Sequence, residues 1–213
     1  MAKTTAPLMG FGAGGQLGKS VVHSSWRGVT YTRRYVIPAN PQTSGQVTTR
    51  GAFTWLTQLW KLMTADGQAP WTAFARGRPL TNRNALIQQN LPGVRSAMDL
   101  SSFLGSPGAN GGLAAVSIAN TPGTLSISCA LGAPALPTGW TIVKAIAMSI
   151  IDGAAATMTT YGSYTAEDSS SPYAPNITVP ATGTYRVFGW FQFLKPDGTT
   201  AYGPSINATA VVS

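Results

Sequence analysis

The stretch that decides the fold is Thr184-Tyr-Arg-Val-Phe-Gly-Trp-Phe-Gln-Phe193. It is rich in the β-branched and aromatic residues that strands favour. Successive side chains of a strand point to opposite faces, so the stretch has two distinct faces. One face carries Tyr185, Val187, Phe191 and Phe193. The other carries Phe188 and Trp190, so both faces of the predicted strand are apolar.

Alternating apolar residues recur on both sides of this strand. They run from Leu125 to Leu131, from Trp140 to Ile150 and from Ile206 to Val212. Pro-Gly, Asp-Gly and Thr-Gly pairs, which form turns, separate the runs. This spacing predicts an antiparallel β-sandwich of about seven strands over residues 113–213.

The preceding segments follow a helical period. Residues 99–112 are rich in Gly, Ser, Pro and Asn, which predicts a linker. Thr43-Ser-Gly-Gln46 fits a capping box and predicts a helix that ends near Thr64. Pro70 suits the first turn of a second short helix, and a third is expected from Thr81 to Leu91, stopping at Pro92. The apolar face of the first helix is Ala52, Leu56, Leu59 and Met63, widened by Phe53 and Trp60.

Two β-prone runs, 19–26 and 29–37, flank Arg27-Gly28 and predict a β-hairpin. We expect Val22, Trp26 and Tyr31 to pack in a core, and the cationic residues of the hairpin to face away from it. Residues 1–18, rich in Gly, Ala and Thr, are expected to form a flexible arm. The hairpin and the three short helices make a basic module over 19–98. Its core is thin, so the module is expected to need a partner for full stability.

Charge is distributed unevenly along the chain, whose formal net charge is +8. Residues 1–98 hold eleven of the fourteen Lys and Arg and a single acid, Asp66. Residues 99–213 hold three cations and five acids. This asymmetry indicates two modules with different partners, of which the first meets something acidic. Nucleic acid and an acidic protein surface are the two candidates.

Several classes of function find little support in the composition. A single cysteine excludes an intrachain disulfide, and with one histidine it excludes a Cys/His zinc cage. Cys129 is interpreted as a small core residue. The sequence shows neither a signal peptide nor a run long enough to span a membrane. Synthesis in a bacterial cytoplasm, with release by lysis, is therefore expected.

Three stretches imitate catalytic or ligand-binding motifs. Ala13-Gly-Gly-Gln-Leu-Gly-Lys-Ser20 fits a relaxed phosphate loop, but no apolar strand precedes it and the following residues favour a strand over a helix. His23 is interpreted as structural. Glu167 and Asp168 are adjacent on one loop and cannot flank a sugar bond from two sides. The sequence therefore predicts a protein that is not an enzyme and that has no catalytic residue, cofactor or metal.

The order of landmarks over 113–213 resembles a fibronectin type III or immunoglobulin-like domain. Trp140 opens the predicted third strand, Tyr185 opens the sixth, and Lys195-Pro-Asp-Gly-Thr turns the chain into the last. The cysteine pair of antibody domains is missing. The resemblance implies that the Tyr185 face lies in the core and that Phe188 and Trp190 lie on the outer side of the sheet. There a neighbouring segment covers them, or they form a subunit contact.

The N-terminal pattern resembles a family of phage and prophage proteins. The residues that carry the resemblance are Gly18-Lys19, Trp26-Arg-Gly28, Tyr31, Arg33, Asn40-Pro-Gln-Thr43, Gln46, Arg50, Phe53 and Trp60. They match the signature G-K…RG…R…NP-x-T-x-x-Q-x-x-x-R-x-x-F over residues 15–75. The resemblance implies a virion context, and it assigns no catalytic residue.

Taken together, these patterns favour a non-enzymatic structural protein of a tailed bacteriophage. A head decoration or cement protein on the major capsid protein is preferred, with a tail, collar or baseplate component as the nearest alternative. We expect the chain to be present in many copies or as a homo-oligomer. We do not expect it to bind a membrane. A nucleic-acid-binding protein is the alternative from another class. The residues expected to bind partners are Arg27, Arg33, Arg34, Gln46, Arg50, Phe188 and Trp190.

Overall fold

The computed structural model describes residues 3–4, 13–26, 29–37, 39–108, 116–120, 124–153, 157 and 162–213. The chain divides into two compact units, Met1–Gln42 and Thr43–Ser213. Strands account for more residues than helices, and they form three antiparallel sheets. The prediction of a mainly β protein with a small number of helices is thereby confirmed. No helix in the described ranges is long and apolar enough to cross a membrane.

The first unit is an antiparallel sheet in the order β1-β2-β3-β4. Its strands are β1 (Lys3–Thr4), β2 (Ala13–Leu17), β3 (Val21–Trp26) and β4 (Val29–Arg34). The β3–β4 pairing confirms the predicted hairpin. The flexible arm is corrected at Ala13–Leu17, because this segment pairs with β3 and its backbone groups join the sheet.

The second unit begins with three helices, α1 (Ser44–Leu62), α2 (Ala65–Ala75) and α3 (Asn82–Ala97). Thr43 is the N-cap of α1, but its side chain makes no cap hydrogen bond, so the predicted capping box does not form. Pro70 lies inside α2 rather than in its first turn. The third helix continues through Pro92, contrary to the prediction. The ring of Pro92 is exposed, and packing of apolar side chains before and after it holds the helix together.

Eight described strands follow and form two antiparallel sheets. The smaller sheet has the order β5-β6-β9, with β5 (Val116–Asn120), β6 (Ser126–Leu131) and β9 (Asn176–Thr178). The larger has the order β11-β10-β7-β8, and β12 also pairs with β10. Its strands are β7 (Thr141–Ile151), β8 (Tyr164–Asp168), β10 (Gly183–Leu194), β11 (Thr200–Tyr202) and β12 (Ile206–Val212).

The larger sheet is buried on both faces. One face packs on the smaller sheet around a core that includes Tyr185, Phe191 and Phe193. The other face packs on the three helices around a core that includes Phe188 and Trp190. The central strands β7 and β10 therefore separate two apolar cores.

An irregularity in β7 divides its apolar residues between these cores. Gln192 is in register with Lys144, whereas Phe193 is in register with Ile142, so Val143 is an extra residue. Such a bulge reverses the side on which the following residues point. Ile142 consequently packs in the core between the sheets, and Ile146 packs in the core under the helices.

The described part of the predicted linker, residues 99–108, belongs to the packed structure. Leu100 and Phe103 are buried in the core under the helices. The side chain of buried Asn90 donates to the carbonyl of Leu104 at 3.3 Å and accepts from its amide at 2.6 Å. Residues 100–106 are therefore a covering segment of the second unit. Its Gly and Ser residues indicated a linker because its three large apolar residues show neither a helical nor an alternating period.

This covering segment corrects the expectation for Phe188 and Trp190. Both side chains are fully buried. A Cβ atom added to Gly105 would lie 3.0 Å from Phe188 and from Trp190, so the segment passes directly over them. A subunit contact through these two residues is ruled out, because the chain's own helices and covering segment occupy their face.

Candidate partner-binding surfaces

The sheet of the first unit has no buried side chain among those the structure describes. Residues 14–25 and 30–37 are all exposed or half-buried. Leu17 and Tyr31 are exposed, and so are Val36 and Ile37, which follow β4. A sheet needs an apolar face packed on another layer to be stable. The described side chains of both faces of this sheet therefore have no packed layer within the first unit.

The cations of β4 lie on opposite faces of that sheet. Val22 is in register with Arg33, so Arg33 shares a face with Val22 and, two residues away, with Tyr31. Arg34 is in register with Val21 and lies on the other face. The expectation that the cations face away from Val22 and Tyr31 is thus wrong for Arg33. Each open face presents a guanidinium beside apolar side chains.

The first unit also contains Arg27, the phosphate-loop pattern and His23, which the sequence singled out. Arg27 lies outside the described residues. Gly18, with φ at +56°, and Lys19 form the turn between β2 and β3, so the phosphate-loop pattern is a strand and a turn followed by another strand. The His23 ring hydrogen-bonds through Nδ1 to Thr32 Oγ1 at 2.9 Å across the hairpin. That bond fits the structural interpretation of His23.

Gln46 and Arg50 come together on the exposed side of α1. They are four residues apart, which places them on one helical face. Val47 and Phe53 extend this face and are 51% and 48% exposed. A surface depression of about 440 Å³ is lined by Arg50, Phe53 and two threonines. We call Gln46, Val47, Arg50 and Phe53 the α1 outer face.

The structure corrects the position of Phe53, which is 48% exposed. The sequence assigned Phe53 to the buried face of α1, whereas Trp55 is the residue buried there. Phe53 is about 100° of helical rotation away from the centre of that face, and the spacing alone could have shown it. An exposed Phe beside an Arg has the composition of the centre of a protein interface.

Most of the acids are already engaged, and none of the described ones forms an ion pair with a cation of the helices. Lys144 forms ion pairs with Asp66, at 2.6 Å, and with Glu167. Arg186 pairs with Asp152 at 2.8 Å. Among the cations that the structure describes, these two alone form ion pairs. The single acid of residues 1–98 is thus neutralised by the C-terminal half, and the positive field of the helices is not offset locally.

The ionisable groups of the strands have structural partners. Burial lowers the pKa of Lys144, but hydrogen bonds to Asp66 and Glu167 outweigh it, and the pKa is raised overall. Backbone amides of Ala174 and Ser170 donate to Asp168 and lower the pKa of its carboxyl. Burial raises the pKa of the Cys129 thiol to about 12, as expected for a core residue. Within the described ranges, no three His, Cys, Asp or Glu lie close enough together to hold a metal.

Comparison of the sequence with protein-family models and with curated proteins finds no match.

Proposed function

We propose that this chain is a non-enzymatic structural protein of a tailed-bacteriophage particle, and that it binds other virion proteins. The observation that carries the proposal is the open, basic sheet of the first unit. Residues 1–42 hold five cations and no acid. A sheet of that charge, with neither described face covered, gains its missing layer when it docks on an acidic protein surface.

The positions that resemble the phage family support the same function. Lys19, Tyr31 and Arg33 are exposed on the first unit, and Gln46, Arg50 and Phe53 are exposed on α1. A motif that maintains a core would lie mostly inside the protein. A motif on the surface is explained by contacts with a partner.

The strands of the second unit fit an immunoglobulin-like or fibronectin type III-like sandwich, and we propose that fold for them. In that fold strands A, B and E share one sheet and strands C, F and G share the other. Strands β5, β6 and β9 take the first set of positions, and β7, β10 and β11–β12 take the second. The Tyr185 hydroxyl donates to the Ala181 carbonyl at 2.9 Å, which is the bond of a tyrosine corner at the start of strand F.

We prefer head decoration of the capsid shell as the subtype, because a docking sheet with a separate compact unit suits a protein that coats a surface in many copies. A tail, collar or baseplate position is the alternative. A nucleic-acid-binding protein is supported by the exposed Arg33 and Tyr31 on one face. Salt-sensitive binding of the full chain to DNA, with no binding to particles, would favour that second class.

A double variant of the α1 outer face tests the proposed contact. Arg50→Ala/Phe53→Ser should fold like the wild type, since both side chains are exposed. It should reduce incorporation into particles about tenfold or more, because truncating interface anchors costs at least about 2 kcal/mol. Incorporation is measured by quantitative blotting of purified particles.

The matched control is Arg83→Ala/Leu62→Ser, which removes an exposed Arg and an apolar side chain that is 49% exposed, away from the α1 outer face. It should incorporate like the wild type. Equal incorporation of the two double variants would show that the α1 outer face is not a contact.

A further inference from the structure

The outward side chains of α1 form a groove of the kind into which another helix packs. Residues four apart on a helix stand in rows, and a partner helix packs a row of its own side chains between two of them. Thr49 and Phe53 form one such row on α1. Arg50 and Thr54 form the next, and the surface depression of about 440 Å³ lies between the two rows, since these four residues line it.

The walls of this groove are apolar apart from one guanidinium. The ring of Phe53 is half exposed. The Thr49 hydroxyl donates to the Gly45 carbonyl, and the Thr57 hydroxyl donates to the Phe53 carbonyl, each at 2.8 Å. Both hydroxyl donors are therefore used within α1 and are not left for a partner. The groove suits an apolar side chain that has an acid close to Arg50.

Two cations set the charge of this side of the helix. Arg50 and Lys61 are both exposed and lie eleven positions apart on α1. Eleven residues make about three turns, so the two side chains leave the same side of the helix, about 16 Å apart along its axis. α1 contains no acid, and neither cation forms an ion pair with a described acid. A partner that matches this charge carries carboxylates about three helical turns apart.

We infer that the α1 outer face, together with Lys61, binds an acidic amphipathic helix of a partner protein. That helix packs a row of apolar side chains into the groove beside Phe53 and presents carboxylates to Arg50 and Lys61. The inference rests on the proposed function, which makes the α1 outer face a partner contact, and it adds the class of partner.

Two other occupants fit this face less well. A second copy of α1 would bring four cations together without an acid between them. Duplex nucleic acid would place phosphates against Val47 and Phe53, whose half-exposed apolar side chains offer a phosphate backbone nothing to bind. An acidic helix matches both the apolar surface and the charge.

The probe is a fluorescein-labelled, stapled helical peptide of about 18 residues, with a row of leucines on one face and two glutamates about three turns apart beside it. Its affinity for the full chain is measured by fluorescence anisotropy. Arg50→Glu/Lys61→Glu should weaken binding about tenfold or more, because two attractions become repulsions. The same variant should bind a peptide with lysines in place of the glutamates more tightly than the wild type does, because the charges are complementary again.

Phe53→Ser tests the groove without a change of charge. It removes one wall and should weaken binding of the acidic peptide about tenfold, because aromatic side chains dominate such contacts. Leu62→Ser is its matched control, since Leu62 is as exposed as Phe53 and lies about half a turn away around α1.

Arg76→Glu/Arg83→Glu is the control for charge, since both residues are exposed and lie outside α1. Each control should change the affinity by less than about twofold under physiological salt. Circular dichroism checks that every variant keeps the wild-type fold.

Absence of binding of the acidic peptide to the wild type, or the same loss in a variant and its control, would overturn the inference. Displacement of the peptide by a duplex oligonucleotide at equal concentration would overturn it in favour of nucleic acid. Incorporation into particles that depends on Arg50 and Phe53, without peptide binding, would contradict the acidic helix and leave the virion role standing. Peptide binding by a chain that is absent from particles would support the acidic helix and contradict the virion role.

Discussion

Replacing Trp190 with Ala should destabilise the Thr43–Ser213 unit by about 3–5 kcal/mol, the largest stability effect we expect of a single substitution. Trp190 is fully buried between the larger sheet and the helices. Its indole Nε1 has no hydrogen-bond partner among the described residues, so the loss comes from packing and from the cavity left behind. The same cavity weakens helices and strands together, because the side chain belongs to the core that joins them.

Urea denaturation followed by circular dichroism and by tryptophan fluorescence measures this loss. The two signals should change in one transition, shifted to lower urea in the variant. Phe53→Ala is the control, because its side chain is half exposed, and it should change the free energy of unfolding by no more than about 1 kcal/mol. Separate transitions in the two signals, or equal losses of unfolding free energy for the two variants, would contradict a shared core.

Removing residues 1–42 should have the largest effect on function. The remaining chain keeps both of its apolar cores and should retain its secondary structure. It should lose incorporation into particles about a hundredfold or more if the basic sheet is the docking contact that we propose, since that factor corresponds to a loss of about 3 kcal/mol.

Arg33→Gln/Arg34→Gln in the full chain is the companion variant. It removes one cation from each face of the sheet and should give an intermediate loss, relative to the wild type, that shrinks as salt is raised, because salt screens the charge contacts that the wild type makes. Wild-type incorporation of the fragment would show that the first unit is not the docking module, whatever its charge.

Patterns of neighbouring residues were enough to predict the elements that form between residues close together in the sequence. The hairpin of β3 and β4 followed from two β-prone runs, and the opposite faces of Tyr185 and Trp190 followed from the period of a strand. The period does not say what covers each face. The helices and the segment around Gly105 cover Trp190, and they come from much earlier in the chain.

The misplaced elements share a physical cause, since tertiary packing overrode a local preference. Pro92 is tolerated inside α3 because buried Leu86 and Val94 hold the helix on both sides of it. The extra residue at Val143 moves Ile146 from one core to the other without any marker in the sequence.

Of the residues expected to bind partners, the sequence placed Arg33, Arg34, Gln46 and Arg50 on surfaces that the structure leaves open. The sequence left Val47 unplaced and assigned Phe53 to the core, because apolar side chains on a helix are first assigned to a core. The distinction depends on the phase of the helix, which is fixed by the whole buried set and not by one residue.

The central claim is that the chain is a structural component of a phage particle, and quantitative mass spectrometry of purified particles tests it most directly. Phage particles released from cells that express the chain are purified by density gradient, and the chain is counted against the major capsid protein. We predict that it is present in a fixed ratio, with hundreds of copies for a shell protein or up to a few tens for a tail or collar part. Absence from washed particles, with the chain found only in the infected-cell lysate, would contradict the account.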